Sequence, residues 1–173
     1  MGSGLNAPKD ELGKEAYMLP NVFSSKTFLP NVCEHVKLNK HKEKLYQLKG
    51  HVIVLGIGDT ALDCARSALR VGAERVTVVF RRGFNDMRAN DEIFDPSVYE
   101  RINFISNLTP QRVLKDQGVA AGIEFEQYFM EGKEYKLTGE KITIKADYII
   151  SAFGSKNTQP AIDALIRDDK GKL

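Results

Sequence analysis

The sequence lacks tryptophan and any long apolar run, and it contains only two cysteines. No apolar stretch approaches the roughly 20 residues that a membrane-spanning helix needs, so we expect no membrane partner. No segment has the pattern of a signal peptide. Cys33 and Cys64 are not spaced like the ligands of zinc or iron–sulfur sites, so we predict no metal site. Two thiols fit a reducing compartment, and we expect a cytoplasmic protein.

A strong excess of one charge is also missing. The 25 Lys and Arg residues nearly balance the 23 Asp and Glu residues, and the net charge of +2 argues against a nucleic-acid partner. Basic residues are concentrated in residues 35–50, which could form a docking patch or simply a solvated loop or exposed helix. The length of 173 residues is enough for one folded domain with a sizeable core.

The sequence does contain a strand, glycine turn, helix and strand over residues 51–82. Val52–Leu55 is a short apolar run typical of a buried strand, Asp59–Val71 has apolar residues at helical spacing, and Val76–Phe80 is a second apolar run. Gly72 follows the helix, where a residue with positive φ commonly ends it. This order predicts a βαβ unit.

The turn between the first strand and the helix fits the glycine pattern of dinucleotide-binding sites. Gly56 permits the tight turn, Gly58 lets a pyrophosphate approach the backbone, and Ala61 allows close packing of helix on strand. The amides and dipole of the helix start favour an anion there. Thr60 and Asp63 have the spacing of a capping box. We therefore assign the following residues to a cofactor site: Gly56, Ile57, Gly58, Asp59, Thr60 and Ala61.

The end of the second strand predicts which dinucleotide binds. An NAD site of this kind has an acidic residue about 20 residues beyond the glycines, on the ribose 2′-hydroxyl. Here Arg81 and Arg82 end the strand, Arg88 follows shortly after, and no carboxylate takes the diagnostic place. Guanidinium groups suit a 2′-phosphate by charge and by forked geometry. The three arginines therefore predict NADPH as the ligand, with a solvated basic turn as the alternative.

The rest of the chain predicts the fold class. Strands are expected at Ile102–Ser106 and Tyr148–Ile150. Between them, Thr109-Pro110 is expected to interrupt the regular secondary structure. A hairpin about Asp116–Gly118 would then join antiparallel strands that cover the sheet and take no part in chemistry. The prediction is an α/β fold: a Rossmann-like parallel sheet with helices and an antiparallel β-meander, the three-layer ββα type that binds FAD or NAD(P). Its expected meander strands are Gln111–Lys115, Val119–Tyr128 and Ile142–Lys145.

The loop after Tyr148–Ile150 should face the same cleft as the glycine turn. In open α/β sheets, ligands lie beyond the carboxyl ends of the strands. Ala152 and Gly154 leave room for a flat ring or a ribose, and Phe153 either packs against that ring or fills the core. We assign these three residues to the cofactor site. No nucleophile–base pair is evident and no catalytic residue is assigned, since hydride transfer requires none from the protein.

Three stretches together resemble the NADPH-binding domain of dihydropyrimidine dehydrogenase. They are VLGIGDTALDCA at residues 54–65, VFRRGF at 79–84 and ISAFGS at 150–155. Gly58–Cys64 is also shared with the small subunit of bacterial glutamate synthase, whereas Tyr17–Pro30 is closer to the pyrimidine enzyme. The resemblance covers roughly residues 2–167.

The resemblance implies that the chain positions NADPH for hydride transfer to FAD, which a neighbouring flavin domain would hold. In the parent enzyme, itself expected to be a homodimer, electrons would then pass through iron–sulfur clusters to FMN, where uracil or thymine is reduced. The isolated chain would bind NADPH at best. The alternatives are the same module from a glutamate synthase small subunit, and a non-catalytic interaction module.

The predicted organisation has four parts. Residues 1–34 would be a link from a preceding flavin domain and a connecting segment, with a short helix near Ser25–Leu29 that Ser24 or Ser25 caps. Residues 35–50 would be a basic polar insert. Residues 51–167 would be the NADPH-binding domain, with a short helix at Asp91–Phe94 that Pro96 interrupts and another around Gln159–Arg167. Residues 168–173 would be a frayed tail.

Overall fold

The computed structural model describes residues 7–8, 12–38, 47–83, 101–131 and 134–156. Within these ranges, no helix is long and apolar enough to cross a membrane. Besides a short 3-10 helix at Ala16–Met18, the described elements are β1 (Ala7–Pro8), β2 (Val22–Ser24), α1 (Ser25–Leu38), β3 (His51–Leu55), α2 (Asp59–Arg70), β4 (Arg75–Val79), β5 (Ile102–Ile105), β6 (Leu108–Asp116), β7 (Val119–Glu131), β8 (Glu134–Lys145), β9 (Tyr148–Ser151) and β10 (Ser155–Lys156).

A parallel sheet with the strand order β2-β9-β3-β4-β5 is the centre of the fold. In it, Ile53 of β3 is in register with Thr77 of β4 on one side and with Ile149 of β9 on the other. The chain passes from β3 through α2 to β4, as the βαβ pattern predicts. Because β9 joins β3 on its other side, the connections leave β3 in opposite directions, which is where such sheets bind ligands.

Both faces of the sheet are covered, which explains the continuous apolar runs in its strands. Val52 and Val54 face the helix layer and pack in a core with α1 and α2. Ile53 and Leu55 face the other way and pack in a second core with Ile123 and the rest of the meander. The result is three layers: two helices, a parallel sheet, and the antiparallel sheet β6-β7-β8. This confirms the predicted fold class.

Helix α2 begins at Asp59 and ends beside Gly72, as predicted, but the predicted side-chain cap at its start is absent. Gly72 has φ +104, and its amide donates to the carbonyl of Leu69 at the helix end. At the other end the N-cap is Gly58, and no side chain caps the helix. The capping box predicted for Thr60 and Asp63 is therefore wrong, because the helix already begins at Asp59 and Thr60 lies within its first turn.

The segment before the βαβ unit is more regular than its sequence indicates. β2 pairs in parallel with β9, and α1 extends to Leu38, so the short helix predicted near Ser25–Leu29 is in fact 14 residues long. Ser24 is its capping residue, as expected: the Ser24 hydroxyl accepts from the Thr27 amide, and the Thr27 hydroxyl accepts from the Ser24 amide, both at 3.2 Å. These reciprocal bonds satisfy two amides at the helix start.

The antiparallel sheet confirms the predicted hairpin but has longer strands. Gln117 and Gly118 connect β6 to β7 with φ +46 and +82, the backbone that a two-residue hairpin turn requires. The interruption of secondary structure predicted at Thr109-Pro110 is wrong, since both residues belong to β6. The proline is tolerated because β6 is an edge strand with a register shift between Pro110 and Arg112.

Several predictions lie outside the described residues. They concern Arg88, the short helices at 91–94 and 159–167, and half of the basic stretch 35–50, of which 39–46 is not described. The four predicted parts of the chain stay predictions. Within the first of them, β2 and α1 contribute an edge strand and a helix to the same fold as the βαβ unit.

Candidate functional site: a cleft at the carboxyl edge of the sheet

A cavity of about 330 Å³ lies at the carboxyl ends of the parallel strands. It is bordered by the turn after β3, the turn after β4, the start of β6 and the loop after β9. Most of the predicted site residues are brought together here, although they come from three separate parts of the sequence. Its lining consists of Gly56, Ile57, Gly58, Thr60, Val79, Phe80, Arg81, Arg82, Leu108, Thr109, Pro110, Ala152, Phe153 and Gly154.

Gly56 fixes the floor of this cleft. It has φ +118, and a Cβ built on it would lie 2.6 Å from the carbonyl oxygen of Ala152. Its amide donates to the Val79 carbonyl at 2.9 Å, and the Ala152 amide donates to the Leu55 carbonyl at 2.8 Å. The turn after β3 is thereby joined to the ends of β4 and β9. Only glycine meets both the backbone conformation and the close approach.

Gly58 has a different role. Its φ is −78, an ordinary value for any residue, and a Cβ built on it would meet nothing within 4 Å. The fold therefore does not require glycine here, and the missing side chain leaves open space beside the first turn of α2. The Ala61 amide donates to the Gly58 carbonyl at 2.8 Å, but no side chain caps α2, so the start of the helix is suited to an anion. Thr60, in the same turn, lines the cavity.

Two arginines form the cationic end of the cleft. Arg81 and Arg82 follow β4, are exposed and line the cavity. Neither guanidinium belongs to an ion pair with another described residue, as the ion pairs found there involve only the meander and Glu15. Both are thus available to a phosphate. Arg88, the third predicted member, is outside the described ranges.

Two other predicted residues do not line the cavity. Asp59 is exposed on the first turn of α2, where its negative charge interacts favourably with the helix dipole. Ala61 is fully buried in the core between helix and sheet. This burial is what the small third position of the glycine pattern is expected to provide, since it allows close packing of helix on strand.

One wall of the cleft is not among the residues that the sequence predicts for the site. Leu108, Thr109 and Pro110 at the start of β6 line the cavity, as do Val79 and Phe80 at the end of β4. The Leu108 amide donates to the Phe80 carbonyl at 3.2 Å, which holds the meander against the residue that precedes the arginines. The signal for Val79 and Phe80 was their position at a strand end. For β6 no local pattern was available, because its approach depends on long-range pairing.

The opposite edge of the sheet has a structural polar cluster. His51 is buried; its Nε2 accepts from the Thr77 hydroxyl at 2.8 Å and its Nδ1 donates to the Lys145 carbonyl at 2.7 Å. Burial, followed by the charge of Arg75, lowers the pKa of His51 below its ordinary value of 6.5. The His51 amide donates to Asp147 Oδ2 at 2.7 Å. These bonds join β3 to its neighbours and lie away from the cleft.

The donor set of the cleft fits a dinucleotide phosphate. The helix start without a side-chain cap and the open space at Gly58 suit a pyrophosphate, and the two exposed guanidiniums, which form no ion pair with a described residue, suit a further phosphate. The apolar lining around Val79, Leu108 and Pro110 suits a flat ring. Among the described residues, no group of three or more His, Cys, Asp or Glu side chains is placed to hold a metal ion.

The curated proteins whose sequences are similar to this chain include several oxidoreductases. The chain is 32% identical over 128 residues to the oxidoreductase YgfK of Escherichia coli O157:H7, covering 72% of this chain and 12% of YgfK. It is 36% identical over 112 residues to the oxidoreductase AegA of E. coli K12, covering 60% and 17%. It is 32% identical over 111 residues to the glutamate synthase [NADPH] small chain of Azospirillum brasilense, covering 60% and 23%. The chain therefore spans less than a quarter of each relative.

The solved structures that superimpose on this chain include thioredoxin reductases. Lactococcus lactis thioredoxin reductase in its FR conformation superimposes with a TM-score of 0.67 at 22% identity, covering 96% of this chain and 47% of that one. The enzyme of Giardia duodenalis superimposes with a TM-score of 0.61 at 17% identity, covering 86% and 40%. These likenesses show the fold, a thioredoxin reductase-like FAD/NAD(P)-binding α/β fold. No protein-family model matches the sequence.

Proposed function

We propose that this chain is an NADPH-binding electron-input domain, which positions NADPH for hydride transfer to an FAD held by another part of a longer flavoprotein. The observation that carries the proposal is that three features meet in one cleft: the glycine turn at a helix start without a side-chain cap, the exposed Arg81 and Arg82, and the loop Ala152–Gly154. The oxidoreductase relatives support it, because one of them is named for its use of NADPH.

Different residues of the cleft would bind different parts of the cofactor. The pyrophosphate would lie in the space that Gly58 leaves open, where the amides of the first turn of α2 donate to it. Arg81 and Arg82 would bind the 2′-phosphate. The adenosine half of the cofactor would therefore lie beyond the carboxyl end of β4. The nicotinamide half would then extend past Ala152–Gly154, on the β9 side.

The chain's contribution to the reaction is binding and orientation. When bound, the nicotinamide supplies the hydride chemistry, and no acid or base of the protein is needed for it. Gly56 fixes the turn at the base of the cleft, where the cofactor would bind. The two cationic side chains would select NADPH over NADH. Half-buried Phe153 would limit the access of water to the ring, since it lines the cavity beside Ala152.

Two parent enzymes are consistent with this module. The segments VFRRGF at 79–84 and Tyr17–Pro30 favour a parent that resembles dihydropyrimidine dehydrogenase and reduces uracil or thymine. The match to a glutamate synthase small chain supports the alternative comparably well. The flavin-domain partner, a homodimeric parent and a cytoplasmic location stay predictions of the resemblance.

The gene sequence downstream of the Leu173 codon discriminates between the parents. A fused FMN-binding barrel would support the pyrimidine enzyme, whereas a separate amidotransferase partner would support the glutamate synthase type. The function itself is tested in the full-length protein by rapid mixing with NADPH. We expect the flavin absorbance to bleach within the first turnover with NADPH and far more slowly with NADH. A flavin that neither cofactor reduces would contradict the proposed role.

A further inference from the structure

Thr109 has a feature that neither the fold nor the glycine motif explains. Its hydroxyl oxygen is buried and has no hydrogen-bond partner within the part of the chain that the structure describes. It is the one buried side-chain polar atom there in that condition. An unsatisfied buried polar group costs stability, so such groups are rare in folded proteins and each one requires an explanation, such as a ligand that supplies the missing partner.

The position of Thr109 indicates what that function is. Thr109 lies on β6 between Leu108 and Pro110, and all three residues line the cleft. Because the Leu108 amide donates to the Phe80 carbonyl, this wall stands beside the residue that immediately precedes Arg81. Thr109 therefore lies at the adenosine end of the proposed site, between two apolar residues that line the same cavity.

We propose that the Thr109 hydroxyl hydrogen-bonds the edge of the cofactor's adenine ring, so that the antiparallel meander takes part in cofactor recognition. This inference rests on the proposed NADPH function and adds a residue to it. An apolar slot with one polar group fits a flat heterocycle, because the ring faces contact Leu108 and Pro110 while a ring nitrogen or amino group meets the hydroxyl. A threonine hydroxyl can both donate and accept, so it suits either kind of edge atom.

The irregularity of β6 supports the same role. The register with β7 shifts between Pro110 and Arg112, directly after the cleft-lining residues. Such bulges bend a strand and redirect its side chains, and they are common beside functional sites. The meander was expected only to cover the sheet. Its first strand, β6, instead forms one wall of the cleft.

The experiment compares Thr109→Val, which keeps the shape and removes the hydroxyl, with Thr109→Ser, which keeps the hydroxyl. Thr143→Val is the matched control, since Thr143 is exposed on β8 and does not line the cavity. Calorimetric titration of the whole chain with NADPH, NADH and 2′,5′-ADP gives the affinities, and thermal unfolding without ligand gives the stability. We expect Thr109→Val to weaken all three ligands about tenfold, and Thr109→Ser to stay within about threefold of wild type.

The melting temperature of unliganded Thr109→Val should equal or exceed that of wild type, which a structural hydroxyl would not allow. Unchanged affinities in Thr109→Val, with wild type binding NADPH, would overturn the inference and leave the proposed function standing. Weaker binding of NADPH and 2′,5′-ADP with unchanged binding of NADH would assign the hydroxyl to the 2′-phosphate and overturn the adenine assignment. A wild-type chain that binds none of the ligands would contradict the inference and the proposed function together.

Discussion

The backbone of Gly56 approaches the carbonyl oxygen of Ala152 so closely that a Cβ built on Gly56 would lie 2.6 Å from that oxygen. This approach brings together two of the loops that border the cleft. The two residues are far apart in sequence but follow adjacent parallel strands, β3 and β9. Their approach leaves no room for a side chain at the base of the glycine turn. Gly58 has open space instead, so one glycine serves the fold and the other serves the ligand.

The first prediction separates these two glycines by the same substitution. Gly56→Ala should lower the free energy of unfolding by about 2–4 kcal/mol, because the new methyl group meets backbone atoms and φ +118 is unfavourable for alanine. Chemical denaturation measures this loss.

Gly58→Ala is the matched control. It should cost only about 1 kcal/mol, the scale of a poorer N-cap residue, while it weakens NADPH binding by filling the space meant for the pyrophosphate. Equal stabilities for the two variants would contradict the assignment of Gly56 to the fold. Undiminished NADPH affinity in Gly58→Ala would contradict the assignment of Gly58 to the ligand.

The second prediction concerns the choice between NADPH and NADH. Arg81→Ala and Arg82→Ala each remove a donor from the 2′-phosphate, and a hydrogen bond to a charged group is worth about 1.5–3 kcal/mol. We expect NADPH affinity to fall by that amount in each variant, while NADH affinity changes little. Arg70→Ala, which removes an exposed arginine at the far end of α2, should leave both affinities unchanged. If NADH weakened as much as NADPH, the arginines would not read the 2′-phosphate.

The third prediction concerns thiol reactivity. Burial, followed by the charge of Asp63, raises the pKa of the Cys64 thiol to about 12, whereas Cys33 is exposed on α1. Since the thiolate is the reactive form, an alkylating reagent at pH 8 should label Cys33 promptly and Cys64 only after unfolding. Mass spectrometry of the labelled peptides identifies the site. Rapid labelling of Cys64 in the native chain would show that α2 does not pack as described.

The fourth prediction concerns pH. The pKa of His51 is lowered in the folded state, so as the pH falls below about 6.5 the unfolded chain takes up this proton first. Its contribution to stability is therefore complete at higher pH and is lost as the pH falls from 6.5 towards the lowered pKa. Melting temperatures from pH 7.5 to 5 should decline less steeply in His51→Gln, whose side chain does not titrate. Identical slopes would refute this role for His51.

The sequence predicted the βαβ unit and its turn well because these features are local. An apolar run, two glycines and a helical repeat determine β3, α2 and β4 without help from the rest of the chain. Gly72 and the Gln117-Gly118 turn are similarly local, since each needs a positive φ that its own residues supply. The assembly of the cleft followed from the general rule that ligands lie beyond strand ends.

Other elements depend on distant contacts. Helix α1 continues through Pro30, which local rules treat as a break, because burial of Phe28 and Val32 against the core outweighs the cost of the proline. The three residues of β2 have no periodicity of their own and form a strand only by pairing with β9. The polar outer parts of β7 and β8 are joined by cross-strand pairs such as Lys136 with Glu131, which sequence alternation does not reveal.

The most direct test of the central claim is calorimetric titration of the purified chain with NADPH and then with NADH. The account predicts one binding site and a clear preference for NADPH, because the glycine turn and the two arginines act on the same ligand. The chain should also show a cooperative melting transition that NADPH shifts upward. A chain that melts cooperatively and binds neither dinucleotide would contradict the account and favour an interaction module instead.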